Sequence, residues 1–158
     1  MAKKKAKPVE NVVEKASKAF VLLSGSANSL IALQWAKKYY EEVHAITFNY
    51  KKNLENEVFT ARINAKKIGV ASHTIVNIPD ILKADQDGYV YMRNMVFLNI
   101  AGNHALAIDC DTLVVGIQKC NYESLQMDAI SQAYPFNIQA PLIYMDDEEV
   151  AKFAQDME

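Results

Sequence analysis

Cysteine and histidine are scarce in this 158-residue chain, with two and three residues respectively. Two cysteines, Cys110 and Cys120, are too few for a disulfide scaffold or a four-cysteine zinc site. His44, His73 and His104 have no metal-ligand spacing, so each reads as a packed or surface side chain. No apolar run approaches the ~20 residues of a membrane-spanning helix, which excludes that class. The start, MAKKKAKP, has lysines but no apolar segment behind them, so it does not read as a secretory signal. The expected setting is reducing and cytoplasmic. There is no internal repeat, no Walker motif and no spaced glycine triad. A large charge of one sign is also missing, the net charge being −2.

Hydrophobic residues make up 51% and charged residues 23%, ordinary globular usage that argues against general disorder. The length suits one domain, which buries roughly two-thirds of its unfolded surface. Charge is unevenly placed. Residues 1–18 hold six lysines against two glutamates, and the body is acidic. Residues 1–17 therefore read as a basic flexible tail and 18–158 as the domain. The tail reads as a solubility extension, and the acidic body argues against a nucleic-acid groove.

Hydrophobic patterning gives the element order. AFVLL, residues 19–23, is a continuous apolar run, as in a strand buried on both faces. SGSANS follows at 24–29, then a helical pattern through Leu30, Ile31, Leu33, Trp35, Ala36 and Tyr39. HAITF at 44–48 predicts a second strand. Residues 53–68 predict an amphipathic helix ended by Gly69. A third strand is expected at 74–78, a long loop at 79–91 and an apolar helix at 94–108. A fourth strand is expected at 112–117, a polar loop at 118–124 and a short helix at 125–132. A fifth strand at 137–140 stops at Pro141. Asp146 and Glu149 form an Asp-x-x-Glu capping box that starts a last helix. This alternation predicts an α/β fold: an open, doubly wound, five-stranded parallel sheet with helices on both faces.

In such a sheet ligands bind beyond the carboxyl ends of the strands. Residues 24–29 are the sharpest candidate, because a small-residue loop opening a helix offers unpaired amides and partial positive charge to a phosphate. The same residues also suit a plain N-cap by Ser26 or Asn28, and both readings stand at this point. Asp80, Asp85 and Asp87 read as loop-solvating groups, and Cys110 as a small buried hydrophobe. Cys120, in the loop after strand four, could face a ligand. Tyr89, Tyr91, Met92, Met95 and Phe97 are candidates for a base pocket, with helix core or a dimer face the favoured reading for Met95 and Phe97.

AFVLLSGSANS resembles the Ser-Gly-Gly-x-Asp-Ser signature of the PP-loop ATP pyrophosphatases. The remaining motifs resemble one branch, the 7-cyano-7-deazaguanine synthases (QueC, of queuosine biosynthesis). They are Phe48-Asn49-Tyr50 with the Glu-rich helix, Arg93-Asn94 opening an apolar helix, Val114-Val115-Gly116 followed by Asn121-Tyr122, and Ala140-Pro141-Leu142 before an acidic helix. The resemblance implies a Rossmann-like PP-loop fold. It implies that Ser24, Gly25, Ser26, Asn28 and Ser29 cradle the phosphates of ATP or another purine nucleotide. Phe48, Tyr50, Arg93 and Asn94 would lie at the nucleotide or deazapurine substrate, and Gly116 would let a ligand approach the backbone.

Three departures set the functional expectation. Ser26 stands for the second glycine, where a Cβ would crowd a phosphate if the backbone needed a positive φ. Asn28 stands for the aspartate, which weakens magnesium binding and suits direct contact with phosphate. The family's C-terminal cysteine cluster for zinc has no counterpart, so zinc is not expected. The expectation is a degenerate, non-catalytic member that binds a purine nucleotide or deazapurine. The alternatives are an active ATP-dependent ligase completed by a partner chain and a protein-interaction module. Phe153 and Met157, read as exposed, suggest self-association, with a two-fold dimer as the default.

Overall fold

The computed structural model describes residues 16–51, 54–78, 81–118, 129, 132–133 and 136–158. The lysine-rich start, Asp80, Cys120, Asn121 and Tyr122 lie outside the described residues, as does most of the helix expected at 125–132. The elements run β1 (Ala16–Leu22), α1 (Ala27–Tyr39), β2 (Tyr40–Asn49), α2 (Glu55–Ile68), β3 (Ser72–Asn77), α3 (Arg93–Leu106), β4 (Thr112–Val115), β5 (Asn137–Gln139) and α4 (Asp147–Met157). All five strands are parallel, in the order β3-β2-β1-β4-β5. The direction of winding changes at β1, so the crevice of such a sheet opens between the ends of β1 and β4.

Residue alternation on the strands distributes the core. Ala19, Val21 and Leu23 face one way and pack with Leu33, Ala36, Ala61 and Ala65 of α1 and α2. Phe20 faces the other way and joins Ile46, Phe48, Leu113 and Val115 beneath Leu98, Ala101 and Ala105 of α3. Each fully buried Leu or Val contributes about 1.5–3 kcal/mol relative to exposure.

The strands differ from the sequence expectation mainly at their starts. β1 begins at Ala16 and β2 at Tyr40, because the two pair from Ala16↔Tyr40 onward. Tyr40 leaves α1 in extended conformation without an intervening loop, while its N–H still bonds to Ala36 O. Glu41 and Glu42 disguise this part of the strand. The Glu42 carboxylate accepts from His44 Nε2 at 2.7 Å, and that bond holds its pKa below the ordinary value. The last helix begins with the expected capping box, both of its hydrogen bonds being present. α4 packs on α1 through Ile31, Leu142 and Val150, with Phe153 and Met157 half-buried against them. That corrects the reading of these two side chains as exposed and removes the basis it offered for self-association.

Two glycines set how closely the elements approach at the crevice. Gly25 has φ +85°, and a Cβ there would strike the Glu57 carbonyl oxygen at the start of α2. A Cβ on Gly116 would lie 2.5 Å from Asn28 O and 2.7 Å from Ser29 N. The first turn of α1 is thus a close neighbour of Gly116, which accounts for a glycine there without reference to a ligand. Gly116→Ala must push that turn away from β4. The expected loss is about 1–3 kcal/mol, read as a lower urea midpoint at constant m-value; an unchanged midpoint would contradict the contact.

His73 supplies a pH-dependent term. Thr47 Oγ1 donates to Leu23 O at 2.6 Å, so the 2.7 Å contact between Thr47 Oγ1 and His73 Nε2 has the imidazole as donor. Burial, aided by the charge of Arg62, pushes the His73 pKa below its ordinary 6.5. The unfolded chain then binds a proton more readily, so this contribution is complete above pH 6.5 and is lost as pH falls through the folded-state value. In urea titrations from pH 7.5 to 5, His73→Gln is expected to lose less stability than the unsubstituted chain. Parallel curves would contradict this.

Candidate functional site

The chain leaves β1 at Leu22 and turns through Ser24 and the left-handed Gly25 into α1. Ser26 is the N-cap, at φ −74° and ψ 159°, with its hydroxyl accepting from Ser29 N at 3.3 Å. Position 26 is ordinary extended backbone, so serine in place of glycine introduces no strain. The capping reading of the sequence therefore holds for Ser26, and Asn28 lies inside the helix.

Hydroxyls brace this turn from within. Ser24 Oγ reaches Ser26 Oγ at 2.9 Å. Ser29 Oγ donates to Ser26 O at 2.9 Å and accepts from Ser24 N at 3.2 Å. Ser29 is buried, so its hydroxyl supports the loop. The amides of Gly25, Ala27 and Asn28 have no hydrogen-bond partner among the described residues. Unpaired N–H groups at a helix start carry partial positive charge and suit an anion.

This loop forms one wall of a cavity of about 510 Å³, within the range of small-molecule sites. Nine of the ten residues singled out from the sequence line it: Ser24, Ser26, Asn28, Ser29, Phe48, Tyr50, Arg93, Asn94 and Gly116. Gly25 does not, and serves the turn. Among the described residues that line it, Arg93 is the only cation and Glu57 the only carboxylate. Arg93 is the first residue of α3 and donates from Nη1 to Tyr50 OH at 3.0 Å, with its guanidinium 5.6 Å from the Tyr50 ring centre. Phe48 stacks on Phe97 with centroids 4.3 Å apart, and Tyr50 meets Phe97 edge-on at 5.1 Å. The cavity thus has an amide-rich end and an aromatic, cationic end.

Sequence reasoning missed Glu57. For Phe97 it favours helix core or a dimer face over a base pocket, yet Phe97 also forms the cavity wall; the available signal was its i+4 spacing from Arg93. Gln118 is legible only as part of the polar loop after strand four; its bond across 90 residues, accepting from Asn28 Nδ2 at 3.1 Å, has no sequence signal. Asn28 therefore does not offer its amide group freely to a phosphate, as had been expected. Tyr89, Tyr91 and Met92 are exposed and stand outside the cavity lining, so the base-pocket reading of them is corrected. Asp85 accepts from Asp87 N and Tyr89 N, tightening its loop. No group of three or more metal-ligating side chains occurs among the described residues. Cys110 is buried, its Sγ contacts Thr112 O at 3.4 Å, and burial pushes its thiol pKa up, the opposite of a nucleophile's environment. No helix among the described residues is long and apolar enough to cross a membrane.

Comparison with known proteins agrees with this geometry. Among solved structures, an NH3-dependent NAD synthetase from Campylobacter jejuni, in complex with nitrate ion, superposes with a TM-score of 0.63 at 12% identity. It covers 91% of this chain, which spans 65% of that one. The PH1313 protein of Pyrococcus horikoshii gives 0.58 at 11% identity, with 89% of this chain and 41% of that one covered. Both likenesses concern the fold. The 7-cyano-7-deazaguanine synthase of Bacillus subtilis is 30% identical over 172 aligned residues, 90% of this chain and 78% of the relative. The family model for queuosine biosynthesis protein QueC matches residues 18–86 and 80–158. With the β1 turn, the Arg93-Asn94 helix start and the strand order all in place, the chain belongs to the QueC family of PP-loop proteins.

Proposed function

We propose that the cavity binds a purine nucleotide, with phosphates at the turn of residues 24–29 and the purine, or a deazapurine, toward Phe48, Tyr50 and Phe97. One observation carries the reading: the amides of Gly25, Ala27 and Asn28 have no partner among the described residues, and Asn28, with Ser24, Ser26 and Ser29 of the same turn, lines a cavity whose only described cation is Arg93. Amides, a rotatable Ser24 hydroxyl and a guanidinium are the donor set that phosphate oxygens require. The aromatic end offers flat apolar faces to a fused ring.

The residues fit ATP better than they fit the ligase chemistry. Bound ATP would supply the group that activates a carboxylate in that chemistry. Charge build-up in phosphoryl and adenylyl transfer is stabilised by positioned cations, and position 28 carries a neutral amide. The chain is read as a nucleotide-binding member with impaired or absent synthase activity, in a sequestering, sensing or regulatory role. The second reading, an ATP-dependent 7-cyano-7-deazaguanine synthase completed by a partner chain, is favoured by the 30% identity to a protein of that name.

Thermal denaturation of the full chain with ATP, AMP and GTP separates binding from none. Ligand at 100 times its Kd adds about 2.7 kcal/mol and raises Tm by several degrees. Arg93→Ala is expected to weaken binding about tenfold or more, since it removes a charge-assisted contact. No shift with any nucleotide would refute the nucleotide reading. Release of AMP with an acid substrate, or ATP-dependent nitrile formation, would refute the impaired-activity reading and establish the second.

A further inference from the structure

Gln118 stands where three elements meet, and its partners leave its amide one orientation. Nε2 donates to Asp147 Oδ1 at 2.8 Å and to the Met145 carbonyl oxygen at 3.3 Å. Both are acceptors only, a carboxylate and a backbone carbonyl. The nitrogen of Gln118 must face them, so its oxygen faces Asn28. Asn28 must in turn present Nδ2 to that oxygen, as it does at 3.1 Å. Reversing either amide sets oxygen against oxygen. Asn28 Oδ1, at the other corner of the planar amide, has no partner among the described residues, and Asn28 lines the cavity.

We propose that Gln118 is a positioning residue. Anchored by Asp147, it locks Asn28 so that position 28 offers the cavity a neutral carbonyl oxygen, and it makes a carboxylate at 28 unfavourable unless residue 147 changes too. The locked oxygen is of the type that a hard divalent cation accepts, alongside carboxylates and phosphate oxygens. Glu57 is the one carboxylate among the described lining residues. A single amide oxygen, in a lining with one carboxylate, is too little for a cation by itself, so the cation is held only together with phosphate and does not bind alone. This cation role rests on the nucleotide reading above, whereas the interlock of residues 28, 118 and 147 does not.

The interlock reverses the simplest expectation for this family. Restoring aspartate at position 28 would set a carboxylate against Gln118 Oε1. Gln118 could not turn to relieve the clash while Asp147 holds its nitrogen. Asp147→Asn eases this, because an amide at 147 can donate to Gln118 Oε1 after the turn or accept from Nε2 before it, which leaves only the longer 3.3 Å approach to the Met145 carbonyl unfavourable after the turn.

Four full-length proteins test this: the unsubstituted chain, Asn28→Asp, Asp147→Asn and the double variant. In ligand-free urea denaturation, Asn28→Asp is expected to be destabilised, and Asp147→Asn close to the parent. The double variant should regain stability, with a coupling of about tenfold in the unfolding constant. An Asn28→Asp protein as stable as the parent, or one that Asp147→Asn fails to rescue, overturns the interlock. A merely structural loss at position 28 would not be rescued from position 147.

The cation is read by calorimetric titration of ATP with and without magnesium. The parent is expected to bind ATP more tightly with magnesium, and magnesium alone is expected to give no heat. Gln118→Met, which frees the Asn28 amide to rotate, should reduce the magnesium enhancement about threefold to tenfold. An enhancement unchanged in Gln118→Met overturns the cation role. If none of the proteins binds ATP, the nucleotide reading fails and the cation role with it, and the denaturation cycle still decides the interlock.

Discussion

The backbone of Asn28 and Ser29 lies so close to Gly116 that no side chain fits between them. That contact brings the first turn of α1 down onto the end of β4, at the point where the direction of winding changes. Gly25, in a conformation open to few other residues, does the same between β1 and the start of α2. Two glycines thus set the distances among four elements, and the cavity is the space that this arrangement leaves. Its shape follows from backbone approach.

Hydrogen bonding then divides the loop into two kinds of group. The hydroxyls of Ser24, Ser26 and Ser29 largely satisfy one another and the loop backbone, which stiffens the turn. The amides of Gly25, Ala27 and Asn28 are left over. Desolvating unpaired N–H groups costs about 1–3 kcal/mol each unless an acceptor reaches them. Asn28 brings one such group to the cavity lining, where an acceptor would offset that cost. Arg93 adds charge, and its bond to Tyr50 orients the guanidinium across the cavity. The stacked Phe48 and Phe97 present apolar ring surface at the other end.

Membership of the QueC family and the departures from its pattern belong to different levels of the molecule. The family model matches residues 18–86 and 80–158, and the five strands run parallel in the order β3-β2-β1-β4-β5. Ser26 shows how a departure can be neutral, since its extended backbone needs no glycine. Asn28 is a neutral amide that bonds to Gln118, which ties the first turn of α1 to the exit of β4 and the start of α4.

Much of this was legible in the chain alone, for a local reason. Continuous apolar runs, three- and four-residue spacings, Gly69 and the Asp146–Glu149 box act over a few residues, and they specify the strands, helices and caps that form. The run SGSANS between an apolar strand and a helix likewise marked the turn. The start of β2 was not legible, because Tyr40–Glu42 become strand only by pairing with residues 16–18 of β1. The same holds for the double duty of Phe97, the exposure of Tyr89 and Tyr91, and the burial of Phe153 against α1. Side-chain partnership between Asn28 and Gln118 spans 90 residues and leaves no periodic trace. Local chemistry determined which elements exist and where the small-residue turn between β1 and α1 lies. Only the packing of the sheet, by bringing distant strand ends within hydrogen-bond reach, decided which side chains share the cavity and which of their atoms remain free.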